Sequence, residues 1–313
     1  MNQEVLLLTD EVERYAAALR DNGVDETGFH KAETIDDLSE AALGCEVALA
    51  KPVLLCEVLE RMPNLRWVQS TYAGVDPLLQ PGLPRGYQLT GVKGVFGPLM
   101  SEYVLGQIIS VERQFRRLDQ AQAESRWEPL PYRGLDGCTL GIAGLGSIGR
   151  RIAATAGHFG MRVLGYKRSP GEVDGVERVY SGDAFPEFAA AVDYLVLVLP
   201  ATDETRGLVG AQVLAEMGER AWLINVGRGP VVDQAALVEA LRNNVIGGAI
   251  LDVFEEEPLP SSSPLWRLPN AVVTPHVAAE SFPEDIARIF ADNWRRYQAG
   301  ESLLYPIDFE RGY

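Results

Sequence analysis

Cysteine is scarce in this chain: Cys45, Cys56 and Cys138 are the whole supply in 313 residues. The set is odd and its spacing matches no metal-binding pattern, which argues against a disulfide framework and for reduced thiols in a cytoplasmic protein. No metal site is expected. Histidine is equally rare, with only His30, His158 and His276, so few side chains can titrate near neutral pH. No apolar run approaches the ~20 residues that span a bilayer; the longest strand-like runs are LVLVLP and EVLLLTD. Basic residues are in deficit, 28 against 44 acidic ones for a net charge of −16, and no basic tract offsets them. That balance argues against nucleic acid and anionic membrane as partners. A small anionic substrate remains open to it, because a few local cations can dominate a pocket. The opening MNQEVLLLTD lacks a basic leader and a small-residue cleavage site, and reads as a first strand.

What is present is a globular composition, 47% hydrophobic and 23% charged, in a chain long enough for about two domains. Short apolar runs alternate with helical patterns, the signature of parallel α/β architecture. Strands are expected at Val5–Leu8, Glu46–Leu49, Leu65–Gln69 and Gln88–Thr90, then at Thr139–Ala143, Arg162–Tyr166, Tyr194–Leu199, Ala221–Asn225, Gly248–Asp252 and Ala271–Thr274. Between the two series, residues 99–127 have unbroken helical periodicity and read as one long strut. A last helix from about Phe282 ends at Gly300, a natural C-cap. It is too short to fold alone and is expected to return to the first domain. The fold class is therefore α/β, with two doubly wound parallel-sheet domains, Rossmann-like and flavodoxin-like, and an active-site cleft between them. Residues 1–98 with 286–313 would bind substrate, and 99–285 would bind a dinucleotide.

The segment GLGSIGRRIAATAGHFGMRVLGYKRSP follows the apolar strand TLGIA. Gly144, Gly146 and Gly149 open a helix there, and a second strand begins at the distance of a βαβ unit. Such glycines allow a tight turn, close approach of the backbone to a pyrophosphate, and packing of helix on strand. The N–H groups at the helix start, including Ser147, Ile148 and Gly149, would meet the phosphates. A ligand-free tight turn is the alternative. After the second strand, where an acid would bind the ribose 2′-hydroxyl, stand Lys167, Arg168 and Ser169. Two cations and a hydroxyl suit a 2′-phosphate, so NADP(H) is expected in preference to NAD(H). Solvated loop cations are the alternative.

Three later stretches each end a strand with a polar group: INVGRGPVVDQAAL, LDVFEEEPLP and VVTPHVAAES. They supply Arg228, a glutamate from the run Glu255–Glu257, and His276. In an open α/β sheet such strand ends converge on the ligand. Reduction of a 2-keto acid needs a proton donor poised near neutral pH, a carboxylate to orient it, and a cation for the substrate carboxylate. Taken singly, each residue also has a plain structural reading, and spacing alone does not choose within the acidic run.

Together these motifs, with LPATDETRGLVG, resemble the D-isomer-specific 2-hydroxyacid dehydrogenase family over nearly the whole chain. TPHVAA, WEPLP at 127–131 and the cationic loop are most similar to its glyoxylate/hydroxypyruvate reductase branch. The resemblance implies that Arg228, Glu257 and His276 are the catalytic set. It implies that Asp252 and His276 lie at the nicotinamide, and that Leu199, Pro200, Val226, Gly227 and Ala278 line the cofactor groove. It also implies that backbone N–H groups near Ala73 and Gly74 in STYAGVD grip the substrate carboxylate, and that the protein is a homodimer. Lys51 is a further candidate substrate cation, with a surface lysine before Pro52 as the alternative. The expected activity is reduction of a small anionic 2-keto acid to a D-2-hydroxy acid. A dinucleotide-sensing regulator of the same fold is one alternative. A related dehydrogenase for another small anion is a second.

Overall fold

Two parallel sheets organise the chain, described from residue 4 to residue 311 in a computed structural model. The chain divides into two units, one containing everything up to Val95 together with the stretch from Ser281, the other running Phe96–Glu280.

The first unit holds β1 (Val5–Leu8), β2 (Phe29–Ala32), β3 (Val47–Ala50), β4 (Trp67–Ser70) and β5 (Gln88–Thr90), in the order β2-β1-β3-β4-β5 with every pairing parallel. This is the flavodoxin-like doubly wound order. VLLL and VALA are buried at all four positions, as a sheet covered on both faces requires. β2 was not among the expected strands. It is an edge strand reading FHKA, mostly half-buried or exposed, so it lacks the continuous apolar run that marks its neighbours.

The second unit holds β6 (Thr139–Ala143), β7 (Arg162–Tyr166), β8 (Arg178–Tyr180), β9 (Tyr194–Leu197), β10 (Trp222–Asn225), β11 (Gly248–Leu251) and β12 (Ala271–Val273). Their order, β12-β11-β10-β9-β6-β7-β8, is the Rossmann arrangement with one added edge strand. Seven strands stand where six were expected. The extra one, β8, is a three-residue edge strand whose first residue, Arg178, is exposed, too short and polar to register as an apolar run.

The expected strut is two helices, Phe96–Glu112 and Phe115–Ala123, broken at Gln114, whose φ of 53° is left-handed. No glycine or proline marks the break in sequence. It is held by tertiary contacts: Gln114 Nε2 donates to the Pro131 carbonyl, and Arg113 stacks 4.1 Å over the Tyr132 ring. Val104, Leu105 and Ile108 of the first helix are buried in one cluster with Ile152, Ala153 and Ala156 of the helix Ser147–His158. Among the described residues no helix is long and apolar enough to cross a membrane, and Cys45, Cys56 and Cys138 are unpaired.

The last helix, Pro283–Ala299, ends at Gly300 with φ 71° and packs on the first unit's sheet. Trp67 of β4, fully buried, lies parallel to Phe290 at 5.2 Å and to Trp294 at 6.3 Å. Its indole N–H donates to Thr90 Oγ1 at 2.8 Å. Buried Asn293 donates to Gln69 Oε1 at 3.0 Å and accepts from the Leu304 N–H at 2.7 Å. Trp67→Ala should therefore lower the unfolding free energy of this unit by about 3–5 kcal/mol, read from urea transitions. Trp67→Phe, which keeps the stack and loses the Thr90 bond, should cost about 1–2 kcal/mol less. Equal costs for the two variants would show that stacking does not hold the helix.

Candidate active site

β6 ends between β7 and β9, the point where strand order reverses and the carboxyl ends open a crevice. The glycine loop sits there. A Cβ on Gly149 would fall 2.0 Å from the Gly144 carbonyl oxygen, whereas one on Gly146 would meet nothing within 4 Å. The loop is thus closed on its protein side and open on the other. The helix Ser147–His158 begins at Gly146 without a side-chain cap, so its first N–H groups and dipole serve the open side. This fits a dinucleotide pyrophosphate. Lys167, Arg168 and Ser169 follow β7 directly, the first half-buried and the others exposed. From β9 come Leu199 and Pro200, half-buried. Gly227, after β10, backs onto Leu199 so closely that a Cβ would lie 2.7 Å from the Leu199 carbonyl oxygen.

The turn Val226–Gly229 is shaped by buried Asn225, whose Oδ1 accepts the Gly227 N–H at 3.1 Å and whose Nδ2 donates to the Arg228 carbonyl at 3.0 Å. Arg228 Nη1 donates to the Gly227 carbonyl at 2.8 Å. The next residue, Gly229, presses on the backbone of Phe254; a Cβ there would sit 1.9 Å from the Phe254 carbonyl. The loop after β10 is thereby locked to the loop after β11.

Within that second loop the acidic run separates by position. Glu255 Oε1 accepts the N–H of Gln234 at the start of the helix Gln234–Arg242, at 3.1 Å. Glu256 is exposed. Glu257, also exposed, is held at both oxygens: its Oε1 accepts the Phe254 N–H at 2.9 Å, and its Oε2 lies 2.8 Å from Nδ1 of His276.

His276 follows β12 and has φ 55°, a left-handed conformation that a non-glycine residue adopts at a cost. Asp252, 1% exposed, holds it. The Asp252 carbonyl accepts the His276 N–H at 2.9 Å. Its carboxylate accepts the N–H groups of Val277 and Ala278, both at 2.9 Å, and the Thr274 hydroxyl at 2.6 Å. Tyr103, from the helix Phe96–Glu112, hydrogen-bonds Thr274 Oγ1 at 2.7 Å.

The Glu257 hydrogen bond raises the His276 pKa above 6.5, against burial and the Arg228 charge, with the Glu257 and Asp252 charges adding to it. Burial pushes the Glu257 carboxyl up, but the His276 bond, the Phe254 N–H and the charges of His276 and Arg228 outweigh it and hold it below 4.5. A raised His276 contributes stability that is complete below pH 6.5 and lost as pH rises through its folded value. A lowered Glu257 contributes stability that is complete above pH 4.5 and lost as pH falls through its own. The ion pair is thus intact between those limits. With both side chains more than a third exposed, its effect is on protonation more than on stability.

Lys51, Ala73 and Gly74 lie at the carboxyl ends of β3 and β4 in the first unit. Ala73 is exposed and Gly74 half-buried. Ser70 Oγ accepts the Tyr72 N–H at 3.0 Å and donates to the Tyr72 carbonyl at 2.7 Å, which shapes the turn before them. Lys51 Nζ bonds Asp10 Oδ2 at 2.7 Å and lies 5.5 Å over the Tyr72 ring. Burial works against its charge, but Asp10 and Tyr72 hold its pKa above the ordinary value. Lys51, the candidate substrate cation, is thus paired with a carboxylate of its own unit.

Sequence reasoning missed Tyr103, Thr274 and the Phe254 N–H. Thr274 stood in the quoted TPH stretch, and its position next to a buried aspartate was the available signal. Nothing marked Tyr103.

Residues 105–278 match the family model described as "D-isomer specific 2-hydroxyacid dehydrogenase, NAD binding domain". Glyoxylate/hydroxypyruvate reductase A of Serratia proteamaculans is 33% identical over 264 residues, covering 82% of this chain and 84% of that protein. Among solved structures, a D-isomer specific 2-hydroxyacid dehydrogenase family protein from Aeromonas salmonicida has TM-score 0.94 at 43% identity, covering 99% of this chain and 100% of the other. The NADPH-dependent glyoxylate/hydroxypyruvate reductase of Sinorhizobium meliloti, in complex with NADP and sulfate, has TM-score 0.85 at 31% identity, with 99% and 100% covered.

The His276 imidazole should titrate above 6.5 in an NMR pH series. In Glu257→Gln, where burial and the Arg228 and Asp252 charges remain but the Glu257 carboxylate is gone, its pKa should fall. An unchanged pKa would show that Glu257 does not set the protonation of His276.

Proposed function

The chain belongs to the D-isomer-specific 2-hydroxyacid dehydrogenase family, and on that basis we propose that it reduces small 2-keto acids of the glyoxylate or hydroxypyruvate kind to D-2-hydroxy acids, with NADPH preferred to NADH. The observation that carries this reading is the His276–Glu257 pair at 2.8 Å, built beside Arg228 at the ends of β10, β11 and β12. A general acid, its orienting carboxylate and an anion anchor are the groups that carbonyl reduction requires.

The second unit is assigned to the dinucleotide and the first to the substrate. The glycine loop, with Ser147 and Ile148, takes the pyrophosphate. Lys167, Arg168 and Ser169 take the 2′-phosphate. Leu199, Pro200, Val226, Gly227 and Ala278 line the groove toward the nicotinamide, and Asp252 serves that end by holding the backbone of Val277 and Ala278. When bound, the reduced nicotinamide supplies the hydride accepted by the carbonyl carbon. Arg228 binds the substrate carboxylate with its planar fork and polarises the carbonyl. In the first unit, the N–H groups around Ala73 and Gly74 are assigned to a substrate carboxylate. Lys51, in the same unit, is paired with Asp10. With Nδ1 committed to Glu257, Nε2 of His276 gives its proton to the carbonyl oxygen, and the Glu257 bond, by raising the pKa, favours the protonated ring.

The protein is read as a cytoplasmic homodimer. Its unpaired cysteines support the first part. Exposed Phe115, Leu118 and Trp127, the last 98% exposed, support the second.

His276→Ala should lower kcat for glyoxylate or hydroxypyruvate reduction by about 10²–10⁴-fold with NADPH binding retained. In the unmodified protein kcat/KM for reduction should fall as pH rises through the His276 pKa. Near-normal turnover in His276→Ala would refute the assignment of the acid.

Cofactor choice is tested separately. Lys167→Asp combined with Arg168→Ala should cut kcat/KM with NADPH by roughly 10–100-fold, the loss of charge-assisted phosphate bonds, and leave NADH less affected. An unmodified protein that prefers NADH would overturn the reading of this loop.

A further inference from the structure

Arg168 Nη2 is bonded at 2.7 Å to Oε2 of Glu204. The two residues belong to the loops after β7 and β9, and these strands flank β6. The pair therefore bridges the crevice on whose floor the glycine loop lies, at the side where Lys167–Ser169 stand. Glu204 is presented from a fixed turn. Thr205 Oγ1 donates to the Pro200 carbonyl at 2.6 Å and accepts the Thr202 N–H at 2.8 Å, and the Arg206 N–H bonds the Thr202 carbonyl at 2.9 Å. The position of this carboxylate at the cationic loop is thus set by backbone geometry, not by a wandering side chain alone.

We propose that Glu204 is a specificity-determining residue that competes with the cofactor's 2′-phosphate for Arg168 and so sets how strongly the enzyme discriminates between NADPH and NADH. This rests on the reading of Lys167–Ser169 as the 2′-phosphate site. Both side chains of the pair are more than half exposed, so the bond is weak in water and gives way to a ligand. A 2′-phosphate carries nearly two negative charges and three acceptor oxygens, and it must either displace the Glu204 carboxylate or bind beside it against like-charge repulsion. In both cases Glu204 lowers affinity for the phosphorylated nucleotide. A 2′-hydroxyl carries no charge and feels neither effect. The missing acid after β7 is thereby partly replaced by an acid delivered from the loop after β9, acting through the arginine.

The test is calorimetric binding of adenosine 2′,5′-bisphosphate and adenosine 5′-monophosphate to the unmodified protein, Glu204→Gln, Arg168→Ala and the double variant. Glu204→Gln should tighten the bisphosphate by about three- to fivefold, the range open to an exposed ion pair, and leave the monophosphate unchanged. Most of that gain should vanish in the Arg168→Ala background, and the NADPH:NADH ratio of kcat/KM should rise in parallel. Unchanged or weaker bisphosphate binding in Glu204→Gln overturns the proposal, as does an equal gain for both nucleotides. If the unmodified protein binds the two nucleotides alike, the 2′-phosphate reading itself fails, and the proposal falls with it.

Discussion

The site of this chain depends on one buried carboxylate. Asp252 sits at the end of β11 with 1% of its surface exposed, in a position where an unpartnered charge would cost several kcal/mol. That cost is offset by donors that come almost wholly from the loop after β12: two backbone N–H groups and the Thr274 hydroxyl. The loop cannot relax without exposing the charge to an apolar interior, so the left-handed backbone at His276 is over-determined. The strain is local, and the compensation lies one strand away.

From this anchor the geometry runs outward. Asp252 fixes the His276 backbone, and Glu257 fixes its ring. Glu257 is itself placed by the Phe254 N–H, and Phe254 is pressed by Gly229, the neighbour of Arg228. Three strand ends are thus joined by contacts in which each element has little freedom. If His276 is the proton donor, as proposed, such a frame spares it reorganisation when charge develops beside it, which is the physical content of a preorganised site. The same chain of contacts explains why the acidic run does not act as a unit. Glu255 is committed to a helix N-terminus and Glu257 to the histidine, so only one of the pair tunes a proton.

Much of the fold was legible in the sequence, for a definite reason. Inner strands of a parallel sheet are buried on both faces, and VLLL, VALA, TLGIA and YLVL carry that constraint in every residue. The edge strands FHKA and RVY do not, because they are polar and mostly half-buried or exposed, whereas the edge strands β5 and β12 were legible. The break at Gln114 was also invisible, because it is imposed by Tyr132 and Pro131, distant from the helix's own periodicity. The separation of Arg228, Glu257 and His276 along the chain could be read because strand ends of an α/β sheet converge by topology. Which glutamate faces the histidine could not be read from spacing. Nor could the Tyr103–Thr274 bond, since both depend on hydrogen-bond directions that no local pattern encodes.

On the proposed function, a chain of net charge −16 must concentrate its cations to meet an anion, and it must also keep them from being permanently occupied. Three cations show how they are held. Arg228 is half-buried, and a bond to its neighbour's carbonyl directs its guanidinium. Arg168 and Lys51 are instead bonded to carboxylates, Glu204 and Asp10. Their charge becomes available to a ligand only by exchange. An exchanged ion pair yields less net affinity than a free cation, because the displaced carboxylate must be rehydrated away from its partner. It yields more selectivity, because only a ligand with comparable or greater charge can displace it. Under the proposed function, the acidic surroundings become part of recognition: they set the charge an anion must carry before the exposed cations respond to it.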